Sequence, residues 1–169
     1  MTKDHAYLYL SSISEAKRQN EVALWRASHL ENIACKQAIE EAIRRGFDGM
    51  HLSHDCARGV IEDFGFKRVG WVLAATIQLK PEDARFSRRN KEWAKTVPNF
   101  NSDSVRRDYA LNTHPAVLDG FIDLVREEQQ RGRAKAGKAQ QPRTSVREKL
   151  RQEPPARKPA SPKKREPER

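Results

Sequence analysis

Much of what marks a secreted, membrane-bound or catalytic protein is missing from this chain. It has two cysteines, Cys35 and Cys56, in 169 residues. That is too few for a disulfide framework, and both are expected to remain reduced thiols in the cytoplasm. No apolar run approaches the roughly 20 residues of a membrane-spanning helix, and no secretory leader opens the chain. The expected location is therefore cytoplasmic and away from the membrane. There is no Walker loop, Gly-rich dinucleotide turn, nucleophile elbow or zincin motif. The acids are scattered among bases rather than set in a catalytic pair. The expectation is a chain with no catalytic residue, no metal and no cofactor, and so not an enzyme.

Charge is unevenly spread. Residues 1–130 carry 19 Lys+Arg and 19 Asp+Glu. Residues 131–169 carry 14 Lys+Arg and 4 Glu, which accounts for the whole net charge of +10. The same 39 residues hold six of the nine prolines and no aromatic residue. Such a segment buries too little apolar surface to offset its ordering entropy. The predicted organisation is a helical globular domain over 1–130 and a disordered Lys/Arg/Pro-rich tail over 131–169. A polybasic tail attracts nucleic acid, anionic membrane and acidic proteins alike. With no lipidation motif, membrane is the least favoured of the three.

Within the domain the pattern is mainly α, a compact multi-helix arrangement. Ser12-x-x-Glu15 has the form of a capping box. Glu21 to Arg45 reads as one long helix, with Ala23, Ala27, Leu30, Ala34, Ala38 and Ala42 as its packing stripe, Trp25, Ile33, Ile39 and Ile43 widening the apolar surface, and Gly46 as its C′ residue. Phe47 to Leu52 reads as a turn. Ser53 caps a helix to Phe64, and Lys67 to Lys80 forms another. The pair resembles a helix-turn-helix, but the second helix is too apolar to read base edges and is expected to be core. Asn99 to Asp108 reads as a polar loop. Residues 6–10 read as an edge strand or a packed extended arm. The first of these allows a small two-stranded β element, about 6–10 with 108–112. Thr113-His114-Pro115 opens the last helix.

The most distinctive stretch runs from Arg85 to Val97. As a helix at about 100° per residue, it places Phe86, Asn90, Trp93 and Val97 on one face. Arg85, Arg88, Lys91 and Lys95 fall on roughly the opposite face, with Arg89 adding to the charge. Such a stripe is what a solvated surface helix presents. It is also what neutralises phosphates or pairs with carboxylates. Together with Arg106 and Arg107, these cations are the candidate residues for binding nucleic acid or a protein partner. His51, His54, Cys56 and Cys35 offer metal-ligand chemistry, but their spacing matches no usual zinc pattern. A thiol–imidazole nucleophile would need one of these cysteines to meet a histidine in space.

Several segments resemble an uncharacterised family of Gram-positive bacteria. They are Asn32 to Ile39, Phe47 to Leu52, Arg85 to Arg88, Asn90 to Lys95, and Thr113-His114-Pro115. The resemblance covers about residues 7–130. Ser145 to Leu150, with the Pro/Lys-rich stretch after it, is similar to the tails of accessory proteins from conjugative elements, plasmids and phage-like DNA. Arg89 departs from the family pattern, where an acid is expected. Members recur in conjugative elements, plasmids and phage-like DNA of anaerobic Firmicutes. The resemblance implies a mobile-element accessory protein. Its partner would be nucleic acid or a host defence nucleoprotein, such as a CRISPR nuclease or restriction enzyme. The alternative is an adaptor of transfer machinery that contacts protein alone.

Overall fold

The computed structural model describes residues 5–98 and 102–140, with side chains as far as Ala136. Among these residues there are seven helices: α1 (Ile13–Arg18), α2 (Val22–Gly46), α3 (His54–Phe64), α4 (Phe66–Leu79), α5 (Arg88–Thr96), α6 (Asp103–Tyr109) and α7 (Pro115–Gln140). The first compact unit ends at Gly132, and the second begins at Arg133.

Helix α4 is the centre of this first unit. Ten consecutive residues, 68 to 77, are buried, and α2, α3, α5 and α6 all pack on the helix. A helix apolar on every side can exist only inside other elements. Val69, Val72, Leu73 and Ile77 are each at most 2% exposed. Burial of each such side chain stabilises the fold by about 1.5–3 kcal/mol. Its buried face also removes α4 as a helix for reading DNA bases. Gly65 joins α3 to α4 at φ +81°, in the left-handed region where a side chain would be strained.

Local chemistry sets the other boundaries. Ser12 caps α1 by accepting from the Glu15 N–H at 3.2 Å, as its position predicts. The 47–52 turn closes when the Asp48 carboxylate accepts from the His51 and Met50 N–H groups. These bonds hold the Asp48 carboxyl below its ordinary range. Phe47 and Leu52 form an isolated bridge across the turn. Pro115 starts α7 as expected.

Several expectations need correction. No strand occurs among the described residues beyond that bridge, so the β pairing of 6–10 with 108–112 does not form. Residues 103–109, expected in a polar loop and then a strand, are helix α6, and the Tyr109 ring is buried at its end. The arm at 6–10 is extended, but its polar groups are satisfied by side chains instead of a neighbouring strand. Helix α2 packs about one residue out of the expected phase. Its buried residues are Ser28, Asn32, Cys35, Ile39 and Ile43, while Ala23, Ala27 and Leu30 are exposed. Gly46 lies within α2 and Phe47 is the C-cap. The glycine is there for space: a Cβ on it would lie 2.9 Å from Cys56 Cβ. Helix α7 continues to Gln140, so residues 131–140 of the expected disordered tail are helical. The rest of that tail, with Ser145 to Leu150, lies outside the described residues.

Candidate functional site

The basic stretch becomes a short helix held in place by polar chemistry. Ser87 caps α5 by accepting from the Asn90 N–H at 3.2 Å, while its own N–H donates to Asp119 Oδ1 at 2.8 Å. Asn90 is fully buried. Its amide donates to Asp119 Oδ1 at 2.9 Å and Asp123 Oδ1 at 3.0 Å. Its carbonyl accepts from Arg126 Nη1 at 2.9 Å. Arg126 also lies over the Trp93 ring, 6.0 Å from its centroid, within cation–π range. Asp119, Asp123 and Arg126 are spaced along one side of α7, so Asn90 fastens α5 to it. At the other end Gln78 Nε2 donates to the Ala94 and Val97 carbonyls, and the Val97 N–H also donates to Ala94.

This docking fixes which side of α5 faces outward. Asn90 is buried and Trp93 and Val97 are half-buried, as the helical phase predicts; Ala94 is buried too, and so is Phe86, which precedes the helix. Arg88, Arg89 and Lys95 are exposed and Lys91 is half-buried. Helix α5 has four cations and one acid, Glu92, in nine residues. Arg88 pairs with Glu92 one turn on, at 3.0 Å. The side chains of Arg89, Lys91 and Lys95 have no hydrogen bond or ion pair among the described residues. Elsewhere the arginines mostly find acids on their own helix. Arg18 pairs with Glu15, Arg44 and Arg45 with Glu41, Arg58 with Asp55, and Arg131 with Glu128. Exposed pairs of this kind add little stability, but each reduces the field its cation presents outward. Helix α5 is where that compensation is weakest.

The other candidate cations separate from this face. Arg85 precedes the helix and is exposed, with Nε and Nη2 both donating to Asp83 at 2.9 Å. These bonds push the Asp83 carboxyl down to about 2 and raise the Arg85 guanidinium. Arg106 is half-buried and pairs with Asp103 at 3.0 Å, and Arg107 is exposed. Both belong to α6, which packs on α4 and α2.

A second polar centre was not apparent from the residue pattern. Arg68 on α4 is buried, 2% exposed. Its guanidinium donates to the Ser28 carbonyl, the Asn32 side-chain oxygen, and the Ala6 and Tyr7 carbonyls. Nearby, His29 stacks on Trp25 at 4.8 Å, and its Nδ1 hydrogen-bonds Tyr109 Oη at 2.6 Å. The signal that could have revealed this centre was a pair of polar residues, Ser28 and Asn32, one turn apart in a long helix.

Burial pushes the Cys35 thiol up to about 12, and it raises Cys56 as well. Among the described residues neither thiol hydrogen-bonds a histidine, and no three His, Cys, Asp or Glu side chains are grouped to hold a metal ion. No helix among those residues is long and apolar enough to cross a membrane.

A family model described as "Protein of unknown function (DUF3849)" matches residues 8–130. The chain belongs to this family. No curated protein and no solved structure matches the chain. The match spans α1 to α6, the Arg68 and Asn90 centres, and most of α7.

Proposed function

We propose that this DUF3849 protein is a non-enzymatic binding protein that engages nucleic acid or a nucleoprotein through the outward face of α5. One observation carries this reading: Arg89, Lys91 and Lys95 stand uncompensated on a helix held rigidly by buried Asn90. A cationic face on an immobile support binds polyanions without first paying to order itself. Phosphates are the polyanion it suits best, because each neutralised phosphate releases a condensed counterion. The basic residues after Gly132 add charge and so add non-specific affinity. The biological setting of this reading is an accessory protein of a mobile element, with a host defence nucleoprotein such as a CRISPR nuclease or restriction enzyme as its target. That setting comes from the sequence resemblance.

The test compares the full chain with an Arg89→Glu/Lys91→Glu/Lys95→Glu variant, each with and without the residues after Gln140. Binding of single- and double-stranded DNA and inhibition of such nucleases are both measured. The proposal expects the variant to lose both activities while remaining folded. If DNA binding and inhibition are unchanged in the variant without the tail, α5 is an ordinary solvated helix. Capture of protein partners with no nucleic-acid binding would instead support an adaptor role.

A further inference from the structure

Arg85 is the candidate cation that the α5 face does not use, and it lines a cavity. The cavity is about 230 Å³ in volume and is also lined by Lys80, Asn112, Thr113 and His114. Its apolar wall includes Phe86 and Leu118. It sits where the end of α4, the loop before α5 and the start of α7 come together. We propose that this cavity is a socket for a phosphate group. The socket is separate from the outward face of α5, and neither proposal depends on the other.

The lining chemistry points to an anion. Lys80, Arg85 and His114 line it and no carboxylate does; the nearest acids are Asp83, paired with Arg85, and Glu40, which accepts from the Asn112 N–H. Asp83 holds the guanidinium of Arg85 through Nε and Nη2. A guanidinium has five N–H donors, so three remain, on a group already fixed in position. His114 Nδ1 accepts from the Ala116 N–H at 3.2 Å. In the tautomer in which Nδ1 accepts, Nε2 is a donor. Thr113 adds a hydroxyl and Asn112 an amide. The positive end of α7 opens at the same place, next to Lys80.

The size and shape of the donor set favour phosphate. A carboxylate offers two coplanar oxygens and is well served by one guanidinium edge. Here donors come from three separate chain segments, an arrangement suited to a tetrahedral group with several oxygens. Whole small-molecule ligands occupy pockets of roughly 300 Å³ and upward. The cavity is smaller, so it takes a phosphate head while the rest of the molecule lies outside. That molecule is a free nucleotide or the phosphorylated end of a nucleic-acid strand.

The full chain, isotope-labelled, is titrated with inorganic phosphate while the NMR signals of His114, Thr113 and Asn112 are followed. The proposal expects saturable shifts at these residues in the millimolar range, about 1–10 mM. Lys80 is exposed, so Lys80→Met is expected to keep the fold and to weaken binding by at least about tenfold. Absence of saturable shifts, an unchanged titration in Lys80→Met, or an equal response to acetate would each overturn the socket. A nucleoside monophosphate is then compared with 5′-phosphorylated and 5′-hydroxyl forms of one oligonucleotide. Tighter binding of the phosphorylated strand than of the nucleotide assigns a strand end, and the reverse order assigns a free nucleotide. Equal shifts at His114 with the phosphorylated and hydroxyl strands would overturn recognition of a terminal phosphate.

Discussion

Arg68 Nη2 donates to the backbone carbonyl of Tyr7 at 2.9 Å, so the N-terminal arm is tied down by a charge buried in α4. The acceptors of this guanidinium are three carbonyls and an amide oxygen, with no carboxylate among them. Burial therefore lowers the Arg68 pKa, while Cys35, Glu31 and Tyr109 oppose the shift. Charge-assisted bonds to neutral acceptors can still hold a buried arginine, provided most of its donors are used. Arg68→Ala is expected to cost about 2–4 kcal/mol, since it leaves buried acceptors unpaired. It should also release the arm. The Tyr9 N–H, which donates to Ser28 Oγ at 3.0 Å, would then lose its protection from hydrogen exchange. An unchanged melting temperature with a protected Tyr9 amide would show that the arm is held by other contacts.

Arg68 also explains why α2 was misread. Apolar residues at spacings of three and four pointed to Ala23, Ala27 and Leu30 as packing positions, with Ile39 and Ile43, which are buried, beside that stripe. The stripe that packs includes Ser28 and Asn32, which look like surface residues until the Tyr9 N–H meets the Ser28 hydroxyl and buried Arg68 meets the Asn32 side chain. Periodicity weighs each residue by its own hydrophobicity, and a polar side chain buried with a distant partner is invisible to it. Helix α1 was legible from its cap and α3, α4, α5 and α7 from their apolar spacing, both of which are local; the Ser53 side chain expected to cap α3 makes no cap bond. Helix α6 was not, because Asn99 to Asp108 is polar and Tyr-Ala-Leu after it favours a strand. What makes residues 103–109 helical is contact with α4 and α2, which is tertiary information. At the candidate site, the phase of α5 and the burial of Asn90 followed from spacing. That Asp83 sequesters Arg85 from the stripe depends on a loop geometry that helical spacing did not include.

Two helical glycines make a contrasting pair. A Cβ at Gly46 would lie 2.9 Å from Cys56 Cβ, closer than packed carbons come. Gly46→Ala must push α2 and α3 apart and is expected to destabilise by about 1–3 kcal/mol. A Cβ at Gly70 would lie 3.5 Å from Trp93 Cζ2, an ordinary contact. Gly70→Ala is expected to be neutral or to stabilise by up to about 1 kcal/mol through helix propensity. Urea unfolding of both variants checks this. Equal destabilisation by the two would mean that α4 and α5 pack more tightly than their contact implies.

The acid limb of the stability curve should depend on Asp83. Its pKa is lowered from 3.8 to about 2, chiefly by the side-chain hydrogen bond from Arg85. A carboxyl with a depressed folded-state pKa favours folding above its ordinary value and loses that contribution as pH falls through about 2. The contribution should be full above roughly pH 4 and fade between there and pH 2. Asp83→Asn should be less stable than the native chain at pH 6, with the difference shrinking toward pH 2. A difference that stays constant across that window would show that Asp83 acts by packing and not by its charge.

Charge reversal on α5 separates binding from stability. Arg89, Lys91 and Lys95 touch no acid among the described residues, so changing them removes no ion pair. Surface substitutions usually cost less than about 0.5 kcal/mol each. Lys95 lies in the last turn of α5, so its reversal also opposes the helix dipole by roughly 0.3–1 kcal/mol. The triple Glu variant should therefore unfold cooperatively within about 2 kcal/mol of the native chain, which denaturant titration reads directly. Its effect on binding is best measured without the residues after Gln140, where 10 Lys+Arg and 4 Glu would otherwise mask it. The hydrogen bonds joining α7 to the other helices come from Arg126, Glu128 and residues before them. The chain ending at Gln140 is accordingly expected to unfold as cooperatively as the whole. On single-stranded DNA, loss of three phosphate contacts should reduce the slope of log K against log salt by about 2. A variant that binds with an unchanged slope would place the phosphate contacts elsewhere, with Arg106 and Arg107 on α6 the next cations to reverse.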